Sequence, residues 1–321
     1  MNLHGITRRA LLVGTLATAY SAFGQSQKKV IRVVAPFQAG GGSDVLLRII
    51  VKHLSERLSQ PMIVDNKPGA AGAIAGLDVA NSPADGMTLF FCSSTAMSGV
   101  AALNKTPAYD PSSAFSAINL IGYYSSVLFC HAQLPVNSVA ELLTYGRARP
   151  SELKYGTGNA VARVAGAQLA QRGKVEMIEV PYKGEPALVS DLVAGRIQLT
   201  YASPSSLMPY VVSGKLKALA TLMPERTKFA PTIPTMKESG LPGFISAGWA
   251  GMFGTKKFPL GLKERLADGI AAVMTRPEVI EVADQTQFFL ASSSPNAMDQ
   301  FLKEDIASWK KIVTDSGMEL E

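Results

Sequence analysis

Two cysteines and three histidines are a thin supply of metal-binding and nucleophilic chemistry for a chain of 321 residues. Beyond the first 24 residues only His53 and His131 remain. There is no HExxH, no GxSxG and no Cys/His spacing of a metal site, which disfavours a metalloenzyme or a triad enzyme. Charged residues are scarce at 17%, while hydrophobic ones reach 47%, so the chain is expected to be globular rather than disordered. Its net charge of +6 is mild, and Lys and Arg form no run or aromatic-interleaved stripe, so nucleic-acid binding is excluded as a main reading. After the N-terminal segment no apolar run approaches the ~18 residues of a membrane-spanning helix.

The first 24 residues read as an export signal. Arg8 and Arg9 supply a positive start, "ALLVGTLATAY" a short apolar core, and Ala22 and Gly24 a small-residue site ahead of a cut before Gln25. The arginine pair faintly resembles a twin-arginine signal, but ordinary secretion is favoured. The mature protein is then expected to be soluble and periplasmic. Such a compartment permits a Cys92–Cys130 disulfide. Both cysteines lie in apolar runs, however, and are expected as buried thiols.

From Lys29 onward, short apolar strands alternate with helical periods, which predicts βαβ units and mainly parallel sheets. "VIRVVAP", "MIVDN" and "MTLFFCS" read as strands, and "DVLLRIIVKHLSERL" as an amphipathic helix. Two long extended stretches break the rhythm, at 114–134 and 245–259. They suit a chain that leaves one domain and later returns. The helical C-terminal part is then expected to pack back on the first domain.

Glycines carry the most specific local signal. "VVAPFQAGGGSD" (33–44) is a strand, a Gly-rich loop and a helix start. A P-loop needs a Lys after its glycines, and a dinucleotide loop needs a third, spaced Gly; both are missing. Two readings stay open: a tight turn without ligand, and a carboxylate-sized anion site at a helix N-terminus. "YGTGNAVAR" (155–163) is a loose echo of the same pattern. The hydroxyl cluster Ser93, Ser94 and Thr95 follows a strand end, where ligands sit in open α/β sheets; it serves equally well as a cap. Gly69, Gly72 and Gly76 read as close helix packing. His53 and His131 default to structural roles.

Four segments in order then resemble one family: "APFQAGGGSDVLLR", "VDNKPGAAGAIAGLDVANSPADGMTLF", "VPYKGEPALVSDLVAGRI" and "GKLKALAT…PERTKFAPTIPTMKESGLPGF…W". Together they resemble the Bug receptors, the extracytoplasmic solute-binding components of tripartite tricarboxylate transporters. The resemblance implies an α/β fold of the periplasmic binding protein type II kind, with two α/β domains joined by crossing strands around a cleft. Residues 25–124 and 249–321 would form the first domain and 125–248 the second. It implies a small organic carboxylate as ligand, delivery to membrane transporter subunits, a monomeric protein, no cofactor, no metal and no catalytic residue. The implied ligand contacts are Phe37, Gln38, Ala39, Gly40, Gly41, Gly42, Ser43 and Asp44 in the first loop. Gly156, Thr157, Gly158 and Asn159 form the second, with Ser93, Ser94, Thr95 and Ala202 lining the same cleft.

The chain departs from the family pattern in its second loop, which is about two residues shorter and has Arg163 near a usual histidine. Gln198 and Ala202 stand where acids are common. Fewer acids lower repulsion toward an anion and remove partners for an ammonium group, which makes an amino acid a poorer ligand. Arg163 either pairs with a ligand carboxylate or sits on a solvated helix face. Two other functions remain open: a ligand-loaded partner of a membrane signalling protein, and a small-acid enzyme on the same scaffold.

Overall fold

The computed structural model describes residues 29–183, 185–244 and 247–321. The export signal expected at 1–24 lies outside the described residues. The chain begins with β1 (Ile31–Ala35), α1 (Gly42–Leu58), β2 (Met62–Asn66), α2 (Ala73–Ala80) and β3 (Thr88–Ser93). A one-turn π-helix (Thr95–Gly99) and the short α3 (Val100–Leu103) and α4 (Pro111–Ala114) lead into the long β4 (Phe115–Tyr124). The chain then crosses to a second lobe. That lobe holds β5 (Val127–His131), α5 (Val139–Ala148), β6 (Leu153–Thr157), α6 (Ala160–Gly173), β7 (Met177–Pro181), α7 (Glu185–Val193), β8 (Leu199–Ala202), α8 (Pro204–Val212) and β9 (Leu216–Thr221). It returns through β10 (Trp249–Thr255), followed by α9 (Leu260–Val273), α10 (Pro277–Gln285), β11 (Phe288–Leu290) and α11 (Pro295–Ser316).

Each lobe is built on its own sheet. The first runs β11-β4-β10-β3-β1-β2 and the second β7-β6-β8-β5-β9. The same order recurs in both: second, first and third βα strands, then a crossing strand, then the fourth. The crossing strands are β10 in the first sheet and β5 in the second. Each enters its sheet from the other lobe, so it runs against its neighbours. The sheets are therefore mixed, with four parallel and five antiparallel pairings, rather than mainly parallel. Strand composition follows position. Central β3 and β10 are almost wholly buried and read as continuous apolar runs, whereas edge strands β2 and β7 carry exposed and half-buried positions.

Two crossing segments connect the lobes, and they touch. Tyr124 N–H, at the end of β4, donates to Gly248 C=O at 2.7 Å, just before β10. A third connection was not expected. The first half of α11 packs Met298, Leu302 and Ile306 into the first lobe's core beside Trp249. Its second half packs Trp309, Ile312 and Val313 into the second lobe's core. The helix thus straddles the lobes instead of returning wholly to the first. Between the two halves, buried Asp305 accepts hydrogen bonds from Trp249 Nε1 at 2.8 Å and from Ser98 of the π-helix. Burial raises its carboxyl pKa, against the lowering effect of these donors. Cys92 and Cys130 are free, buried thiols in different sheets. Burial lifts both, Cys130 to about 11. No helix among the described residues is long and apolar enough to cross a membrane.

Candidate ligand cleft

The two sheets point the carboxyl ends of β1, β3, β6 and β8 into the groove between the lobes. A cavity of about 350 Å³ lies there. That volume is at the small end of the range for ligand pockets, roughly 300–1,000 Å³. Residues from both lobes and both crossing segments line it, and hydroxyls dominate: Ser43, Ser93, Ser94, Thr95, Tyr124, Ser125, Ser126 and Ser203. Among the described lining residues Glu185 is the one charged side chain.

No Lys or Arg lines this cavity among the described residues, but several helix starts do. Ser43 lies in the first turn of α1, Asn159 caps α6, Glu185 opens α7 and Ser203 precedes α8. Thr95 opens the π-helix that runs into α3. The first N–H groups of a helix have no intrahelical acceptor and carry a partial positive charge. Several such ends converging on one small cavity favour an anion, and a carboxylate suits the size.

The first loop is held in shape by an acid. Asp44 is 1% exposed. It accepts from Gly40 N–H, Arg48 Nε and Asn66 Nδ2, each at 2.8 Å. Burial alone would raise its pKa, but these donors outweigh it and hold the carboxyl below its usual value. Gly40 sits at φ +82°, where a side chain is strained, so the turn requires glycine at that point. Its Asp44-bound N–H closes the loop. The residues from Gln38 to Gly42 form an exposed rim outside the cavity lining, and Asp44 is a brace beneath them. Phe37 and Ser43 of this loop line the cavity. Ser43 Oγ donates to Tyr124 Oη at 3.1 Å, and burial raises the Tyr124 pKa, so the phenol stays neutral.

The cluster after β3 is more unusual than a cap. Gly99 N–H donates to Ser94 C=O five residues back, at 2.9 Å, which makes the turn a π-helix. This wide turn carries Ser94 and Thr95 at the cavity wall, with Ser93 just before it. The turn meets the second lobe at Gly99, where a Cβ would stand in ordinary contact with the Ala160 Cβ at 3.5 Å.

The second loop gives less. Gly158 and Asn159 line the cavity. Asn159 spends its Oδ1 on capping Ala162 N–H at 2.9 Å. Thr157 is buried, with its hydroxyl on Glu179 at 2.8 Å, and Gly156 lies buried in β6. Ala202 lines the cavity at the end of β8. Gln198 lies away from it, holding Lys154 N–H and Gly195 C=O. Arg163 does not sit on a solvated helix face: it is mostly buried, and its guanidinium pairs with Glu179 and Glu321.

Sequence reasoning did not single out Tyr124, Ser125, Ser126, Val161, Glu185, Leu188, Ser203 or Gly248. Ser125 is the most informative of these, because among the described residues its buried hydroxyl has no hydrogen-bond partner while it lines the cavity. A buried orphan hydroxyl is costly unless something satisfies it. Among the described residues no group of three or more His, Cys, Asp or Glu is placed to hold a metal.

The family model described as "Tripartite tricarboxylate transporter family receptor" matches residues 46–318. The chain belongs to this receptor family. It is 31% identical over 324 residues to a UPF0065 protein from the tcbD-tcbE intergenic region of Pseudomonas sp. strain P51, covering 98% of this chain and 96% of that one. It is 29% identical to BugT of Bordetella pertussis over 91% of this chain and 90% of that one. Among solved structures, R. palustris Rpa4515 with adipate aligns at a TM-score of 0.75 with 29% identity, covering 92% of this chain and all of that one. The resemblance to Bug receptors read from four segments is thus borne out along nearly the whole receptor chain.

Proposed function

We propose that this receptor captures a small organic carboxylate in the cleft between its lobes and presents it to the membrane subunits of a tripartite transporter. The observation that carries this reading is the cavity ringed by helix N-termini and hydroxyls, with the unpartnered Ser125 hydroxyl in its wall. A carboxylate accepts from N–H and O–H donors alike, and it needs no counter-cation where dipoles converge. The adipate held by the R. palustris relative supports the same ligand class. The reading is one of binding without chemistry, by a periplasmic monomer exported through residues 1–24. Its lobes part at the two crossing segments, near 124/125 and 248/249, where the chain changes sheet, and the last helix bridges both. The test is a thermal melt of the mature protein against a panel of carboxylates. A ligand that binds only the native state raises the midpoint as its concentration rises. A folded protein whose midpoint no carboxylate moves would contradict the proposal.

A further inference from the structure

A second cavity, about 650 Å³, adjoins the first and shares Thr95, Gly158 and Asn159 with it. Its lining includes Arg163, Glu179 and Glu321. Arg163 stands one turn into α6 with its side chain 19% exposed. Its Nε edge faces Glu179 at 3.4 Å, and Glu179 is also held by the Thr157 hydroxyl. Its other two nitrogens face the tail: Nη1 donates to Glu321 Oε1 at 2.6 Å and Nη2 to Glu319 C=O at 3.0 Å. The main chain of Glu321 is anchored separately on the first lobe. Its N–H donates to Leu103 C=O at 2.8 Å, and its C=O accepts from Lys105 N–H at 2.9 Å. The Glu321 carboxylate therefore reaches Arg163 as a side arm, 66% exposed, on a backbone that does not depend on it.

We infer that the Nη1 edge of Arg163 is a second carboxylate subsite, filled by the Glu321 side chain as a tethered stand-in for a ligand group. A dicarboxylate long enough to run from the hydroxyl cavity past Thr95 and Asn159 takes this position by displacing Glu321. This rests on the proposed function and adds a ligand class to it. Three features support it. The two cavities adjoin and share Thr95, Gly158 and Asn159 in their linings. The guanidinium already binds a carboxylate there, through one charge-assisted hydrogen bond from Nη1 to Glu321 Oε1. The displaced group rehydrates on release, because it is already mostly exposed. The tether keeps Glu321 at an effective concentration on the order of millimolar, so it shuts out carboxylates that bind this edge weakly and acts as a selectivity filter.

The test is calorimetric titration of the mature protein and its Glu321→Gln variant, with linear dicarboxylates from succinate to pimelate and the matching monocarboxylates. Monocarboxylates occupy the hydroxyl cavity alone and serve as the reference. Glu321→Gln is expected to bind its best dicarboxylate about tenfold tighter than the parent, while monocarboxylates change less than about twofold. Adding Arg163→Gln is expected to erase the gain, with circular dichroism confirming that the double variant is folded. Unchanged dicarboxylate affinity beside intact monocarboxylate binding would overturn the subsite, leave Glu321 as a clasp between lobes, and leave the carboxylate reading standing. Failure of every acid to bind either folded protein would overturn both.

Discussion

The two jaws of the cleft begin from the same design, a strand, a Gly-containing loop and a helix N-terminus, yet they spend their polar groups differently. In the first, one buried acid does the internal work: Asp44 gathers Gly40, Arg48 and Asn66, which leaves Ser43 at the cavity wall. In the second, shorter loop the side chains are consumed at home. The Thr157 hydroxyl goes to Glu179 and the Asn159 carbonyl to its own helix. The first jaw therefore offers a supported hydroxyl, and the second mostly backbone and the Asn159 amide. A short loop with no brace of its own must borrow its side chains for structure.

The largest expected effect that separates the jaws is on stability. Asp44→Ala removes the shared acceptor of Gly40, Arg48 and Asn66, whose donors are partly solvated, and is expected to lower unfolding free energy by roughly 1.5–3 kcal/mol in urea melts. Acid titration gives the same contrast without that truncation. The folded pKa of Asp44 is depressed, so its contribution is present above the ordinary carboxylate range and is lost as pH falls through the depressed value. An Asp44→Asn protein should lose that part of its acid sensitivity. A parent and variant with superimposable acid-unfolding curves would contradict the bracing role.

Removing the second jaw's cap is a smaller change. Asn159→Ala is expected to cost about 1 kcal/mol of stability, as a lost helix N-cap does. A much larger loss would mean that the second loop is braced as strongly as the first. Ser125→Ala is the mildest of these changes. It deletes a hydroxyl that has no partner among the described residues, so stability should hold or rise slightly. Carboxylate affinity should fall about fivefold, the worth of one neutral hydrogen bond. Equal losses in stability and affinity would show that this hydroxyl already has a structural partner.

Much of the frame was legible in the sequence because period and punctuation carry it. Apolar runs bounded by Gly and Pro marked the strands, and the two long extended stretches marked the crossings. Strand direction was not legible. β5 and β10 look like any other apolar strand, and only the lobe they arrive from makes them antiparallel. The first loop's glycines and Ser43 could be read because residue type and helix start coincide there. Tyr124, Ser125 and Ser126 could not, since they interrupt an extended apolar stretch at the crossing and gain their position from the meeting with Gly248. The π-turn at Thr95 has no sequence period of its own. The partner of Arg163 was hidden for a simpler reason: Glu321 lies 158 residues away, brought back by a helix whose apolar face does not say which core it enters.

The central claim is that the cleft holds a small carboxylate. Native mass spectrometry of the protein, purified without denaturation from cells that export it, tests this most directly. The account predicts a bound fraction whose excess mass, released and fragmented, is that of a small organic acid, and whose abundance falls in Ser125→Ala. A co-purifying sugar, cation or amine in its place, at one equivalent and lost in the same variant, would contradict it.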